Sequence, residues 1–210
     1  MADPSFADLL TAEGVEESLV LRSAFGFMAY HGGGLEQMTD VIAAAAAERA
    51  GASYYGIVHP PGWSAHVSSI DVDPAASPQL DAFLAHVRVV VTVHGYGRRW
   101  LMTSILLGGR NRGLASDLAG DVRAALPAYR IVDDLDDMPT TLRGLHPRNP
   151  VNLPTEQGVQ VELPMRARGL GPMWWDWESG LTPHTDALIG ALARTATRWT
   201  RRAADDPAPT

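Results

Sequence analysis

The sequence contains no cysteine and no lysine. Without cysteine the chain can form neither disulfides nor a metal site built from thiolates. Because lysine is absent, all 17 basic residues are arginines, and 24 acidic residues outnumber them. The formal net charge of -7 disfavours non-specific binding to nucleic acid, so we expect no nucleic-acid partner.

Long apolar runs are absent as well. No stretch of about 18 apolar residues is available to span a membrane, so we expect no membrane partner. The opening residues MADPSFADLLTAEG lack the basic and apolar regions of a signal peptide, which predicts a cytoplasmic protein at synthesis. With 46% hydrophobic residues, we expect one monomeric domain over residues 1–202, followed by a disordered tail at 203–210.

Short apolar segments alternate with helical patterns along the chain. This alternation predicts an α/β fold with a twisted, mixed, largely parallel sheet and helices on both faces. In such sheets, ligands bind in loops beyond the carboxyl ends of the strands. The patterns predict strands at 25–30, 53–58, 66–70, 87–95, 100–109, 129–133 and 158–164, and helices at 35–51, 77–86, 112–126 and 183–202.

Two histidines follow apolar strand candidates, and glycine follows each of them. His31 opens the segment HGGGLE, which ends at Glu36, and His94 closes the run VRVVVTVH. Two imidazoles and one carboxylate form a three-ligand zinc set that leaves a fourth position for water. The same residues are compatible with a loop histidine, an exposed carboxylate in a first helical turn and a strand-end histidine. Spacing alone leaves both interpretations open.

A carboxylate also lies near the end of the last predicted strand. In GVQVELP, Gln160 and Glu162 alternate with apolar residues, so they share one face of the strand. Glu162 is therefore either a general base held at a strand end or a solvated edge residue.

Other candidates carry weaker signals. His66 opens the segment HVSS and is interpreted either as a hydrogen-bonded rim residue or as a catalytic group. Arg166 and Arg168 follow the strand that holds Glu162, and guanidinium groups bind carboxylates through paired hydrogen bonds. The segment GPMWWDWESG (171–180) predicts a surface flap, because its acidic residues would be costly to bury unpaired.

Several segments, taken in order, resemble one family. They are HGGGLE (31–36), HVSS (66–69), VTVHGYG (91–97), LLGGRNRGL (106–114), NPVN (149–152) and GVQVELPMRAR (158–168). The set is similar to the phage and bacterial poly-γ-glutamate hydrolases, which are zinc enzymes with a carboxypeptidase-like α/β core. The resemblance covers residues 25–168, and a phage relationship would add release by host lysis to the expected location.

The resemblance implies roles for individual residues. His31, Glu36 and His94 match the family's zinc ligands, and Glu162 matches the catalytic glutamate. The glycines would then let the backbone curve tightly around the metal, and glycine tolerates the positive φ that such a curve requires. The expected cofactor is therefore Zn²⁺.

The resemblance further implies an amidohydrolase that acts on polyglutamate or another peptide. Expected contacts to the substrate are Arg166, Arg168, Asn149 and His66. After NPVN the family commonly has arginine, whereas this chain has Leu153, and this difference falls where substrate contacts are expected. Two alternatives stay open: a zinc carboxypeptidase or amidase acting on cell-wall peptides, and a binding protein that retains the fold without catalysis.

Overall fold

Seven strands form one sheet in the computed structural model, which describes residues 4–171 and 180–205. They are β1 (Glu16–Val20), β2 (Ser23–Gly33), β3 (Ala52–His59), β4 (Val89–Tyr96), β5 (Ser104–Leu107), β6 (Arg130–Val132) and β7 (Gly158–Pro164). Their order in the sheet is β1-β3-β2-β4-β7-β5-β6. The β1–β3 and β5–β7 pairs are antiparallel and the other four are parallel, which confirms the mixed, largely parallel sheet.

Helices cover both faces of this sheet. The helices are α1 (Phe6–Leu10), α2 (Thr39–Ala50), α3 (Pro78–His86), α4 (Arg112–Ala125) and α5 (Pro183–Asp205). Helices α2, α4 and α5 enclose the larger apolar cluster on one face, and α1 and α3 enclose a second cluster on the other. This arrangement is the predicted single-domain α/β fold.

Successive side chains of the central strands enter the two clusters in turn. Phe25 and Phe27 of β2 pack in the larger cluster, whereas Met28 and Tyr30 pack in the second. Because a strand alternates its side chains, a sheet that is covered on both faces requires continuous apolar runs. The face that carries Tyr30 is the one on which the polar side chains described below converge.

Most predicted elements are present, with shifted ends. Strand β7 covers 158–164 as predicted, and Ser77 caps α3 by accepting a hydrogen bond from Leu80 N at 2.9 Å. The helix predicted at 35–51 begins only at Thr39, because residues 34–38 form turns after β2. The strand predicted at 100–109 is confined to β5, and 66–70 contains a short 3-10 helix in place of a strand. Elements α1 and β1 were not predicted.

Two sequence predictions concern segments at the limits of the described residues. The predicted flap at 171–180 falls almost wholly on 172–179, outside the described residues. Helix α5 continues to Asp205, so the first three residues of the predicted tail belong to the helix; residues 206–210 lie outside the described part. Among the described residues, no helix combines the length and apolar character needed to cross a membrane.

Candidate metal centre

An irregularity at the end of β2 sets the direction of His31. The pairing of β2 with β3 shifts register between Ala29 and Gly32, as at a β-bulge. Bulges re-aim side chains at strand ends, frequently beside functional sites. As a result, the rings of Tyr30 and His31 lie edge to face, with their centroids 4.9 Å apart, although the two residues are adjacent in the chain.

Glu36 lies between two imidazole rings. Its Oε1 is 3.2 Å from His31 Nδ1, and its Oε2 is 3.3 Å from His94 Nδ1. The same Oε2 accepts a hydrogen bond from Gly95 N at 2.8 Å. The structure therefore brings together the three residues predicted as metal ligands, from β2, from the turn before α2 and from β4.

The opposite nitrogens of both rings face other protein atoms. His31 Nε2 lies 2.9 Å from the carbonyl oxygen of Val67, and His94 Nε2 lies 3.2 Å from the hydroxyl of Tyr30. A carbonyl oxygen only accepts, so His31 Nε2 carries the proton and donates it. In neutral His31 the lone pair is thus on Nδ1, facing Glu36. Metal-binding histidines are typically held by such a hydrogen bond at the second nitrogen.

Charge within this group is strongly coupled. Burial alone would raise the pKa of the Glu36 carboxyl, but the facing His31 and His94 outweigh burial and hold that pKa below its usual range. For His94, burial acts to lower the pKa, whereas the Glu36 carboxylate, with a smaller effect from Glu162, raises it overall. The pocket thus favours a positive charge beside Glu36, which a proton or a metal cation can supply.

Glu162 projects from the next strand on the same face as His94. The two residues are register partners in the parallel β4–β7 pair. Glu162 is 4% exposed, and burial raises the pKa of its carboxyl to about 7. Gln160, on the same face as predicted, donates from Nε2 to Glu162 Oε1 at 2.8 Å. The solvated-edge interpretation is wrong, because β7 lies inside the sheet between β4 and β5.

His66 reaches the same centre from the loop after β3. Its ring centroid lies 4.5 Å from that of His31. Donor atoms of His31, Glu36 and His66 all lie within 4.8 Å of one another, so His66 meets a geometric criterion for a metal ligand. His66 is nevertheless exposed, whereas His94 is 3% exposed. His94 is the other candidate for the third ligand, because its ring is buried and anchored at Nε2.

The two arginines after β7 differ in position. Arg168 is 6% exposed, donates from Nη1 to the carbonyl oxygen of Gln37 at 2.7 Å, and packs against Gly95. A Cβ at Gly95 would lie 2.5 Å from Arg168 Cζ, so glycine is needed for this approach. Arg166 is exposed and lies over the ring of Tyr129. Only Arg168 borders the predicted ligands.

Asn149, expected to contact substrate, lies in the protein interior. Asn149 is 2% exposed, and both of its amide atoms are already hydrogen-bonded. Its Oδ1 accepts from Tyr30 and from Val151 N, and its Nδ2 donates to Gln160. In this structure Asn149 therefore offers no free amide atom to a substrate.

The glycines of HGGG lie against the end of β3. A Cβ at Gly33 or Gly34 would lie 2.4 Å or 2.1 Å from the carbonyl oxygens of His59 and Pro60. Gly33 also has a φ of +65°, as the predicted curve required. Close packing against the end of β3 therefore excludes side chains at Gly33 and Gly34.

A comparison with protein families decides the classification. The model of the poly-gamma-glutamate hydrolase family matches residues 7–170. The chain belongs to the poly-gamma-glutamate hydrolase family. No similar sequence was found among curated proteins. The matched range contains all four residues of the metal and general-base hypothesis, and membership supports a hydrolase.

Solved structures share the fold of this family member at low identity. A bacteriophage poly-gamma-glutamate hydrolase has a TM-score of 0.77 at 20% identity, over 91% of this chain and 93% of that one. A zinc-free apo form of YNDL has a TM-score of 0.71 at 21% identity, over 86% and 88% of the two chains. A metallo-carboxypeptidase from Burkholderia cenocepacia has a TM-score of 0.51 at 11% identity, over 93% and 67%. These matches confirm the carboxypeptidase-like fold.

The donor set of this hydrolase family member is compatible with zinc. Two imidazole Nδ1 atoms face one carboxylate, and nitrogen and oxygen donors of these types are the usual zinc ligands when cysteine is absent. Both rings are held at Nε2, so neither has to rotate to offer Nδ1. The chemistry of the donors and the anchoring of the rings therefore both fit a divalent cation.

Proposed function

We propose that the protein is a zinc-dependent amidohydrolase that cleaves γ-glutamyl amide bonds, as in poly-γ-glutamate. The observation that carries the proposal is the placement of Glu36 between His31 Nδ1 and His94 Nδ1, with Glu162 beside His94 on the adjoining strand. Family membership supports a hydrolase, and the buried, clustered groups account for how this chain would perform the hydrolysis.

His31, Glu36 and His94 would hold the zinc ion. When bound, zinc would polarise the scissile carbonyl and make water more acidic. The residues themselves orient this chemistry, because Val67 and Tyr30 keep the two rings facing Glu36. His66, at the exposed side of the centre, is assigned to the substrate.

Glu162 is the proposed general base. It would take a proton from the attacking water and return it to the leaving nitrogen. A base works best when its pKa is near the working pH, and burial brings the pKa of Glu162 to about 7. Gln160 donates to Oε1 of Glu162, so Oε2 is the oxygen left to accept the proton from water.

Arg168 is the proposed partner of the substrate carboxylate or of the developing oxyanion. Its guanidinium packs on Gly95, next to His94, and its Nε has no hydrogen-bond partner within residues 4–171 and 180–205. A buried guanidinium N–H without a partner is costly, and a substrate oxygen would satisfy it. Charge stabilisation of this kind in a water-poor site is a large contribution to catalysis.

A groove beside the site supports an extended, anionic substrate. A cavity of about 610 Å³ begins at Tyr96 and Pro164, two residues beyond His94 and Glu162 on their strands. Three arginines line it, together with apolar residues of the same two loops: Arg98, Arg99, Arg166, Met102, Met165 and Leu170. Local positive charge in a chain of net charge -7 would attract a polymer of carboxylates, and the apolar walls would contact its methylene groups.

Glu162→Gln provides the direct test of the mechanism. The variant keeps size and shape but removes the proton acceptor, so turnover should fall about 10²- to 10⁴-fold with zinc still bound. Turnover on γ-glutamyl oligomers, with zinc content measured in the same samples, checks this. Normal turnover with normal zinc would remove Glu162 from the mechanism, and loss of zinc would make it a ligand.

A substrate panel tests the bond that is cleaved. Cleavage of γ-linked but not α-linked glutamate oligomers is the expected result. Cleavage of cell-wall peptides or α-peptides alone would make the protein a carboxypeptidase or amidase. Stoichiometric zinc with no turnover on any member of the panel would make it a binding protein that retains the fold.

A further inference from the structure

A continuous chain of hydrogen bonds joins His94 to Glu162 through the protein interior. His94 Nε2 lies 3.2 Å from the hydroxyl of Tyr30, which donates to Asn149 Oδ1 at 3.2 Å. Asn149 Nδ2 donates to Gln160 Oε1 at 2.8 Å, and Gln160 Nε2 donates to Glu162 Oε1 at 2.8 Å. We call Tyr30, Asn149 and Gln160, with the hydrogen bonds that join them, the buried polar network.

One backbone amide sets the donor and acceptor of every hydrogen bond in the buried polar network. Val151 N donates to Asn149 Oδ1 at 3.2 Å, and a backbone N–H cannot accept, so this atom of Asn149 must be the oxygen. Asn149 Nδ2 then faces Gln160 and requires an oxygen there. Gln160 consequently turns its own NH₂ group toward Glu162.

The same argument runs in the other direction, toward His94. Asn149 Oδ1 only accepts, so the hydroxyl of Tyr30 must donate its single proton to it. The Tyr30 oxygen is then left as an acceptor, so its contact with His94 Nε2 is a hydrogen bond only when Nε2 carries the proton. When His94 is neutral, its lone pair is on Nδ1, which faces Glu36.

Burial makes these directions compulsory. Tyr30, Asn149 and Gln160 are 1%, 2% and 4% exposed. A buried group that faced a like partner would lose its hydrogen bond with no water to replace it. Gly144 packs tightly against the buried polar network as well, since a Cβ there would lie 2.5 Å from Gln160 Oε1.

We propose that Asn149 is a positioning residue that controls both ends of the site: the tautomer of His94 and the oxygen of Glu162 that is left for catalysis. This proposal rests on the roles given above to His94 and Glu162. Its tautomer test, however, needs neither zinc nor activity, so its failure can be distinguished from failure of the proposed function.

The first experiment compares the metal-free protein with its Tyr30→Phe variant. Nitrogen NMR of isotope-labelled histidine reports how the proton of neutral His94 is shared between Nε2, which faces Tyr30, and Nδ1, which faces Glu36. We expect the share on Nε2 to be smaller in Tyr30→Phe than in the unmodified protein. An equal share in the two proteins would overturn the proposal, whether or not the protein binds zinc.

The second experiment interrupts the buried polar network at Tyr30. Tyr30→Phe removes the hydroxyl and keeps the ring, so zinc affinity, measured by competition with a chelator, should fall about 10- to 100-fold, as for other partners of metal ligands. Tyr55→Phe is the matched control: it removes another buried hydroxyl, which donates to Glu17 at 2.7 Å, away from the site. Equal zinc affinities of the two variants would refute the link to His94.

The third experiment removes the donor that Asn149 offers to Gln160 in the buried polar network. Asn149→Asp keeps the acceptor for Val151 N but places an oxygen against Gln160 Oε1, so Gln160 is driven to rotate and to lose its donation to Glu162. We expect kcat at saturating zinc to fall at least tenfold, with KM nearly unchanged. A loss of thermal stability with kcat, KM and zinc affinity all unchanged would show a merely structural role and would refute the proposal.

Discussion

The burial of the Glu162 carboxyl leads to a quantitative prediction about the stability of the metal-free protein. Burial raises the pKa of Glu162 from 4.5 to about 7, so the folded state disfavours its ionised form. Below about pH 4.5 the group is protonated in both the folded and the unfolded state, and its raised pKa does not lower the free energy of unfolding. As the pH rises toward 7 the unfolded state ionises first, and the full cost is present above pH 7.

Glu162→Gln removes this cost, because an amide does not ionise. Each unit of pKa difference corresponds to about 1.4 kcal/mol, so the difference between 4.5 and about 7 corresponds to roughly 3 kcal/mol. The variant should therefore match the wild type near pH 4 and be more stable by roughly 3 kcal/mol near pH 8. For a chain of this size, that difference raises the melting temperature by about 6 to 12 °C.

Urea denaturation in the presence of a chelator, from about pH 4 to 8, measures the difference directly. Other titrating groups are common to both proteins, so the difference in unfolding free energy reports position 162 together with its coupling to His94, provided that the m-values agree. A difference that does not change with pH, or a variant less stable than the wild type at pH 8, would refute the assignment of a raised pKa to Glu162.

Three further predictions concern the ligands and the groove. His94→Ala should abolish zinc retention in chelator competition, whereas His66→Ala should retain zinc and lose affinity for substrate; the opposite pattern would make His66 the third ligand. Because Glu36 raises the pKa of His94 above the ordinary histidine value of 6.5, protons should compete with zinc for His94 already above pH 6.5. Zinc affinity should therefore fall as the pH falls through that range, and an affinity that does not change with pH would contradict this. Arg166→Gln should raise KM for long γ-glutamyl oligomers several-fold and reduce its dependence on salt, whereas Arg201→Gln on α5, outside the groove, should not; equal effects would exclude the groove as the binding surface.

The predictions from sequence succeeded where a local pattern has one physical solution. The alternation in GVQVELP placed Gln160 and Glu162 on one face of β7, because side chains of a strand alternate whatever the surroundings. The helix predicted at 77–86 was confirmed for the same kind of reason, since its Ser77 cap lies within the helix's own first turn. Strand β1 was missed because its exposed, alternating residues depend on pairing with β3.

The sequence by itself determined the α/β fold class, the absence of thiolate chemistry and the residue types of the site, because composition and periodicity act locally. Only the tertiary structure decided how those residues are used. It joined His31 and His94 through Glu36, brought His66 beside them, and buried Asn149 as a link to Glu162 where a substrate contact had been predicted. These contacts join positions up to 119 residues apart along the chain, as for Tyr30 and Asn149, and they follow from strand order and register, which local patterns do not specify.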